Sequence, residues 1–182
     1  MRLLAPILTV TLLGLSSGCS LDSLVGAAGG LNGLGGGKLS ATFSNSGSNA
    51  DTGSFNPAIV QGVTSASATT ITATSLPTGS KIRTMSITMF GMKAEAGKTY
   101  PLSTNNNNSV SILYAEADPT KTGDDAAKGW VSGSGSLSFS TITAGTASFT
   151  IKDAVFAPGN ASKEATGTFT VNGSGSVKLN NY

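Results

Sequence analysis

The carboxylates are the side chains of this sequence that could most readily do chemistry. The chain of 182 residues has nine Asp and Glu residues, no histidine and one cysteine. Without histidine, neither a Ser-His-Asp triad nor an imidazole metal ligand can form. Two carboxylates facing each other across a cleft could hydrolyse a glycoside, but most of the nine lie in polar, turn-like stretches and no spacing pairs two of them. We therefore predict a protein that is not an enzyme, with no catalytic residue and no cofactor.

One acidic stretch has the spacing of a calcium-binding loop. Asp118-Pro-Thr-Lys-Thr-Gly123 places oxygen-bearing side chains at alternate positions before a glycine, as such loops do. Gly129 stands where the loop needs a bidentate glutamate, and Lys121 adds a repelling positive charge. Asp124 and Asp125 follow closely and could complete an irregular site. Asp118, Asp124 and Asp125 are thus weak calcium-loop candidates, and we expect a solvated acidic loop without a metal ion.

The single cysteine follows an apolar N-terminal stretch. Arg2 supplies a positive charge, the run from Leu3 to Leu15 is apolar, and Ser16-Ser17-Gly18 are small residues directly before Cys19. This order is typical of a secretory signal peptide. The apolar run is shorter than the roughly 18 residues that a permanent membrane-spanning helix needs. We therefore assign residues 1–18 to a signal peptide.

The residues around Cys19 resemble the lipobox of bacterial lipoproteins, in which small residues precede a cysteine that is acylated and becomes the mature N-terminus. Ser17 and Gly18 match the small residues and Cys19 matches the modified cysteine, whereas Ser16 stands where leucine is usual. The resemblance implies attachment to a membrane through an N-terminal lipid anchor. Because Ser20 rather than aspartate follows the cysteine, it also implies a place in the cell envelope at the outer membrane.

Residues 19–37 join this anchor to the rest of the chain. They are rich in glycine, and a glycine-rich chain of this length has an average span of about 23 Å. Of the eleven basic residues, Arg2 is lost with the signal, which leaves a nearly neutral mature chain. A neutral chain has no strong attraction for nucleic acid or for anionic lipid, so the anchor must hold the protein at the membrane.

From Lys38 onward, apolar residues alternate with serine and threonine. Met85, Ile87 and Met89 alternate with hydroxyl residues, for example, and turn residues separate such runs. This period of two predicts half-buried strands. We therefore predict an all-β domain over residues 38–182, an antiparallel β-sandwich with a small closed β-barrel as the alternative.

The alternation also predicts the core and one irregularity. Trp130 is expected in the core or at its rim, although a lone aromatic beside a polar loop can also stack on a sugar. Around Asp153 the alternation breaks, and we favour a β-bulge there because an unpaired inward carboxylate is costly. The predicted core residues are Phe43, Ile71, Met85, Ile87, Met89, Val110, Ile112, Leu137, Phe139, Phe149, Ile151, Phe169 and Val171.

The strand pattern over residues 80–175 resembles uncharacterised bacterial envelope lipoproteins that carry a small β-sandwich body. Those families have no assigned catalytic residues, so the resemblance concerns fold and location. Together with the low charge, it favours a lipid-anchored, noncatalytic envelope module with a structural, adhesive or ligand-recognition role. The partner, protein or glycan, stays open. The alternatives are a lipocalin-like barrel around a small apolar ligand, which requires an internal cavity, and a hydrolase with two carboxylates across a cleft.

The anchor can be tested directly. We expect Cys19→Ala to abolish incorporation of labelled palmitate and to release the protein from the membrane fraction, because the lipid is the only strong membrane contact. The measurement is palmitate labelling of cells followed by fractionation, with Ser17→Ala as the matched control. An unlabelled wild-type protein would contradict the lipidation of Cys19.

Overall fold

An alternation of apolar and polar side chains favours β-strands. The computed structural model of the chain consists mainly of strands in the part that it describes. It describes residues 36–181 except 52, 77–78, 105–108, 144 and 161–163, so Cys19, the signal peptide and most of the linker lie outside the described residues. No helix in these residues is long and apolar enough to cross a bilayer. The strands are β1 (Lys38–Ser46), β2 (Gly53–Phe55), β3 (Ile59–Thr64), β4 (Ala68–Thr74), β5 (Ile82–Phe90), β6 (Thr99–Pro101), β7 (Val110–Ala117), β8 (Ala127–Thr143), β9 (Thr146–Pro158) and β10 (Thr168–Asn181), with a 3-10 turn at Gly123–Ala126.

Seven of these strands close into a barrel in the order β3-β4-β5-β7-β8-β9-β10 and back to β3. Neighbours in the ring are antiparallel except β10 and β3, which pair in parallel over Leu179–Asn181 and Gly62–Thr64. The remaining strands lie beside the ring: β1 pairs with β10, β2 with β1, and β6 with β8. The all-β prediction is confirmed, and the arrangement is the closed barrel that the sequence left as the alternative to a sandwich.

Closure depends on the length of two strands. Along one edge, β8 pairs first with β7 over Ala127–Val131 and then with β6 over Ser136–Ser138. In the same way, one edge of β10 pairs with β1 over Thr168–Ser176 and then with β3 over Leu179–Asn181. Each of these strands therefore has two successive partners on one edge, one strand of the ring and one strand that lies beside it.

Large side chains fill the interior of the barrel. Every residue of the predicted core is buried, and Trp130 is fully buried, so both predictions are confirmed. Phe169 is stacked between Phe156, at a ring-centroid distance of 5.0 Å, and Phe43, at 5.3 Å. Tyr114 and Trp130 meet the same ring edge-on, each at 5.7 Å. Aromatic pairs at these distances stabilise a core by about 0.5–1.5 kcal/mol each beyond the area that they bury.

The predicted bulge lies at Asp153. Between Ile151 and Ala154, β9 advances by three residues while β10 advances by two, from Gly173 to Val171, so β9 contains one extra residue. Asp153 takes a positive φ of 48° and is exposed, which lets residues on both sides of the bulge keep their apolar side chains inward. Its backbone N–H donates to Asn172 Oδ1 at 2.8 Å. The bulge prediction is confirmed.

Gly135 is the glycine of β8 that the bulge requires. It has a φ of 107°, and an added Cβ would lie 2.6 Å from the Asp153 carbonyl oxygen and from Ala154 Cα. We expect Gly135→Ala to lower the free energy of unfolding by about 2 kcal/mol or more, because both the backbone angle and the close approach exclude a side chain. Urea denaturation measures it.

Gly133 provides the matched control for this substitution. It lies on the same strand, and a Cβ added there would meet nothing within 4 Å. Gly133→Ala should therefore change the stability by no more than about 0.5 kcal/mol. Equal stability of the two variants would show that the bulge does not depend on Gly135.

Candidate functional site

Three charged residues form a row across the interior face of the sheet at one end of the barrel. Arg83 on β5 is paired in register with Glu116 on β7, and Glu116 is paired with Lys128 on β8. Two residues away along each of these strands, the next inward-facing positions hold Met85, Tyr114 and Trp130, which are buried. The charged row therefore lies directly outside this buried row. We call this end of the barrel, marked by Arg83, Glu116 and Lys128, the barrel mouth.

Glu116 is the buried carboxylate of the barrel mouth, with only 4% of its surface exposed. Its Oε1 accepts the phenol O–H of Tyr114 at 3.0 Å and the backbone N–H of Asp51 at 2.5 Å. Among the described residues, no hydrogen bond reaches Oε2, and no lysine or arginine forms an ion pair with this carboxylate. Oε2 of Glu116 therefore has no hydrogen-bond partner among the described residues.

The phenol of Tyr114 is held in its protonated form. Burial raises its pKa far above the ordinary value, and the nearby charge of Glu116 raises it further, although Arg83 acts in the opposite direction. A protonated phenol donates to the carboxylate at any physiological pH. The guanidinium of Arg83 lies 5.4 Å from the Phe55 ring centroid and donates to the Ser54 carbonyl at 3.2 Å, so it joins the barrel mouth to β2.

A salt bridge flanks Glu116 at the surface. Lys81 Nζ lies 3.1 Å from Asp51 Oδ1. The hydrogen bond from Lys81 to Asp51 raises the pKa of this lysine, and their Coulomb attraction adds to the effect. Both side chains are more than two-fifths exposed, so the pair stabilises the fold by no more than about 1 kcal/mol. Because Asp51 also donates its backbone N–H to Glu116, it connects the loop before β2 to the barrel mouth.

Asp118, one of the calcium-loop candidates, lies at the edge of the barrel mouth. Its Oδ1 accepts the hydroxyl and backbone N–H of Thr120, at 2.6 and 3.1 Å, and its Oδ2 accepts the Ser80 hydroxyl at 3.0 Å. The hydrogen bond from the Thr120 hydroxyl lowers the pKa of Asp118. These contacts belong to a turn in which the aspartate accepts from the backbone two residues ahead.

The other two calcium-loop candidates, Asp124 and Asp125, have side chains outside the described part of the structure. Within the described residues, no three His, Cys, Asp or Glu side chains come together in a way that could hold a metal ion. The calcium loop therefore stays a prediction, and its one described member is already occupied by local hydrogen bonds.

A small recess opens at the barrel mouth. Its volume is about 90 Å³. We call it the mouth recess, and it is lined by Lys81, Glu116, Ala117, Asp118, Lys121, Ala126 and Lys128. Charges of both signs line it, and the buried carboxylate lies among them.

A second surface of interest is the outward face of the strands beside β10. Hydroxyl residues lie directly opposite one another across β1, β10, β9, β8 and β6. This hydroxyl row consists of Ser40, Ser174, Thr150, Ser138 and Thr99. An open depression of about 820 Å³ is lined in part by members of the row and by the neighbouring Ser148 and Ser176.

Sequence reasoning missed Glu116, although a signal for it was present. Val110, Ile112 and Tyr114 alternate on β7, and the next residue in that series is Glu116. In the same way, Arg83 continues the series of Met85, Ile87 and Met89. A charged residue that continues an apolar alternation lies on the interior side, at the end of the core.

Comparison of the chain with protein-family models, with curated proteins and with solved structures found no match. The resemblance to envelope lipoproteins therefore rests on the residues around Cys19 and on the strand pattern.

The hydrogen bond between Tyr114 and Glu116 can be measured by substitution. We expect Tyr114→Phe to lower the free energy of unfolding by about 1.5–3 kcal/mol, because a buried hydrogen bond to a charged group is lost. Tyr100→Phe is the control, since its hydroxyl contacts Glu95 N and Lys93 O in an exposed setting and should contribute about 1 kcal/mol or less. Equal losses in urea denaturation would mean that the Tyr114 hydroxyl adds nothing specific.

Proposed function

We propose that this protein is a lipid-anchored, noncatalytic module of the cell envelope that recognises a ligand on its outer surface. The observation that carries the proposal is the filled interior of the barrel. Tyr114, Trp130, Phe139, Phe156 and Phe169 are all buried to at least 99%, so the described interior is occupied by the protein's own side chains. A ligand then has to bind outside the core.

The hydroxyl row is the surface that best suits such recognition. Each serine or threonine hydroxyl offers one donor and two acceptor lone pairs, and Thr150 and Ser40 are exposed. The row itself contains no charged residue, and Lys38 is the one charged residue among those that line the depression. A surface of this kind favours an uncharged partner that is itself rich in hydrogen-bonding groups. We therefore propose a glycan as the partner class.

The other hypotheses from the sequence receive less support. A lipocalin-like carrier requires an apolar internal cavity, and the packed aromatic rings of Phe43, Phe156 and Phe169 occupy that space at one end of the barrel. A carboxylate hydrolase requires two free acids across a cleft. Of the two acids that line the mouth recess, Asp118 is engaged by Thr120 and Ser80.

The proposal predicts glycan binding that depends on the hydroxyl row. We expect the full-length protein, purified in detergent, to bind members of a glycan array, with an affinity nearly independent of salt between about 50 and 500 mM because no charge pairing is involved. Thr150→Lys should weaken this binding at least about tenfold, since it places a long charged chain within the row.

Thr72→Lys is the matched control, because Thr72 lies on β4, across the barrel from the row. It should leave binding unchanged. Failure of the wild-type protein to bind any glycan, or equal weakening by both substitutions, would overturn the proposed recognition surface.

A further inference from the structure

We infer that the mouth recess binds a small zwitterion, a molecule with one ammonium group and one carboxylate, such as a free amino acid with a small side chain. The inference concerns a different surface from the hydroxyl row and does not depend on the lipid anchor. Mouths of β-barrels are common positions for small-molecule sites. Some of the charges in the recess already have partners within the protein, and others do not.

The negative half of the site is Glu116. Glu116 is more than nine-tenths buried, and it lines the recess. Oε1 is occupied by Tyr114 and the Asp51 N–H, whereas Oε2 accepts no hydrogen bond from the described residues. A carboxylate oxygen that lines an open recess can accept a hydrogen bond from a donor group that enters the recess. An ammonium group supplies both the donor and the opposite charge.

The positive half consists of Lys121 and Lys128. Both line the recess, and neither forms an ion pair with a described side chain. The third lysine, Lys81, is already paired with Asp51. Asp118 is also satisfied, by Thr120 and Ser80. Among the side chains that the structure describes, the charges of the recess without an ion-pair partner are therefore one buried carboxylate and two lysine ammonium groups.

Size and charge together favour a small zwitterion over a simple ion. The recess of about 90 Å³ corresponds to roughly three waters at about 30 Å³ each, which suits a molecule of a few heavy atoms. A simple anion would be placed beside the buried Glu116 carboxylate, and a simple cation beside Lys121 and Lys128. A zwitterion can direct each of its charged groups to the opposite sign.

Isothermal titration calorimetry on the purified full-length protein tests the inference with four small probes that differ in charge. We expect glycine to bind, and methylamine, acetate and inorganic phosphate to bind at least about tenfold more weakly. Acetate or phosphate binding as tightly as glycine would overturn the inference in favour of an anion site. Methylamine binding as tightly would overturn it in favour of a cation site, and the absence of heat with all four probes would overturn it outright.

Substitutions locate the binding. Glu116→Gln removes the charge but keeps an oxygen that can accept from Tyr114 and Asp51, and it should weaken glycine binding at least about tenfold. Lys121→Met, on the exposed loop, should also weaken glycine binding. This substitution leaves the buried hydrogen bonds of Glu116 intact, so it tests the site even if the Glu116→Gln protein does not fold. Lys93→Met, an exposed lysine that does not line the recess, is the control. Glycine binding that survives both site substitutions would refute the assignment.

Discussion

The pairing of β10 with three different strands is the constraint on which the rest of this structure depends. One edge of the strand pairs with β9 along nearly its whole length, and the other edge passes from β1 to β3. Without the short parallel contact to β3, the sheet would have two open edges instead of a closed wall. Gly62 lies at this contact, where an added Cβ would be 2.7 Å from Leu179 Cδ2 and 3.1 Å from the Lys178 carbonyl oxygen. A residue without a side chain therefore eases the close approach of the two strands.

The barrel mouth is a direct result of the period that builds the core. On three neighbouring strands, inward-facing positions carry apolar or aromatic residues and then, one step further, Arg83, Glu116 and Lys128. Polar atoms at the end of an apolar core are partly removed from water. Each of them therefore forms a hydrogen bond within the protein or is available to a ligand. Tyr114 connects the two layers, because its ring packs in the aromatic core while its hydroxyl reaches Glu116.

The sequence predicted the local features of the fold well and its long-range pairing less well. Residues such as Met85, Ile112 and Phe149 are buried as their alternation predicts, and the bulge at Asp153 follows from a break in that alternation. Both features depend only on neighbours along the chain. The choice between sandwich and barrel depends on whether β10 pairs with β3, whose partner residues lie 117 positions earlier in the sequence. No local pattern encodes that register. The alternation on β7 indicates that Glu116 faces inward, but its contact with Asp51 comes from a loop that meets it only in the folded barrel.

The parallel contact between β10 and β3 also sets the order of events when the chain is made. Its residues on β10, Leu179–Asn181, emerge from the ribosome after every other strand of the ring. Until they appear, β3 to β9 cannot close into the ring, because β10 is the strand that joins β9 to β3. Pairing between segments so distant along the chain is slow relative to local hairpins. The ring therefore cannot close before the residues of β10 have been synthesised.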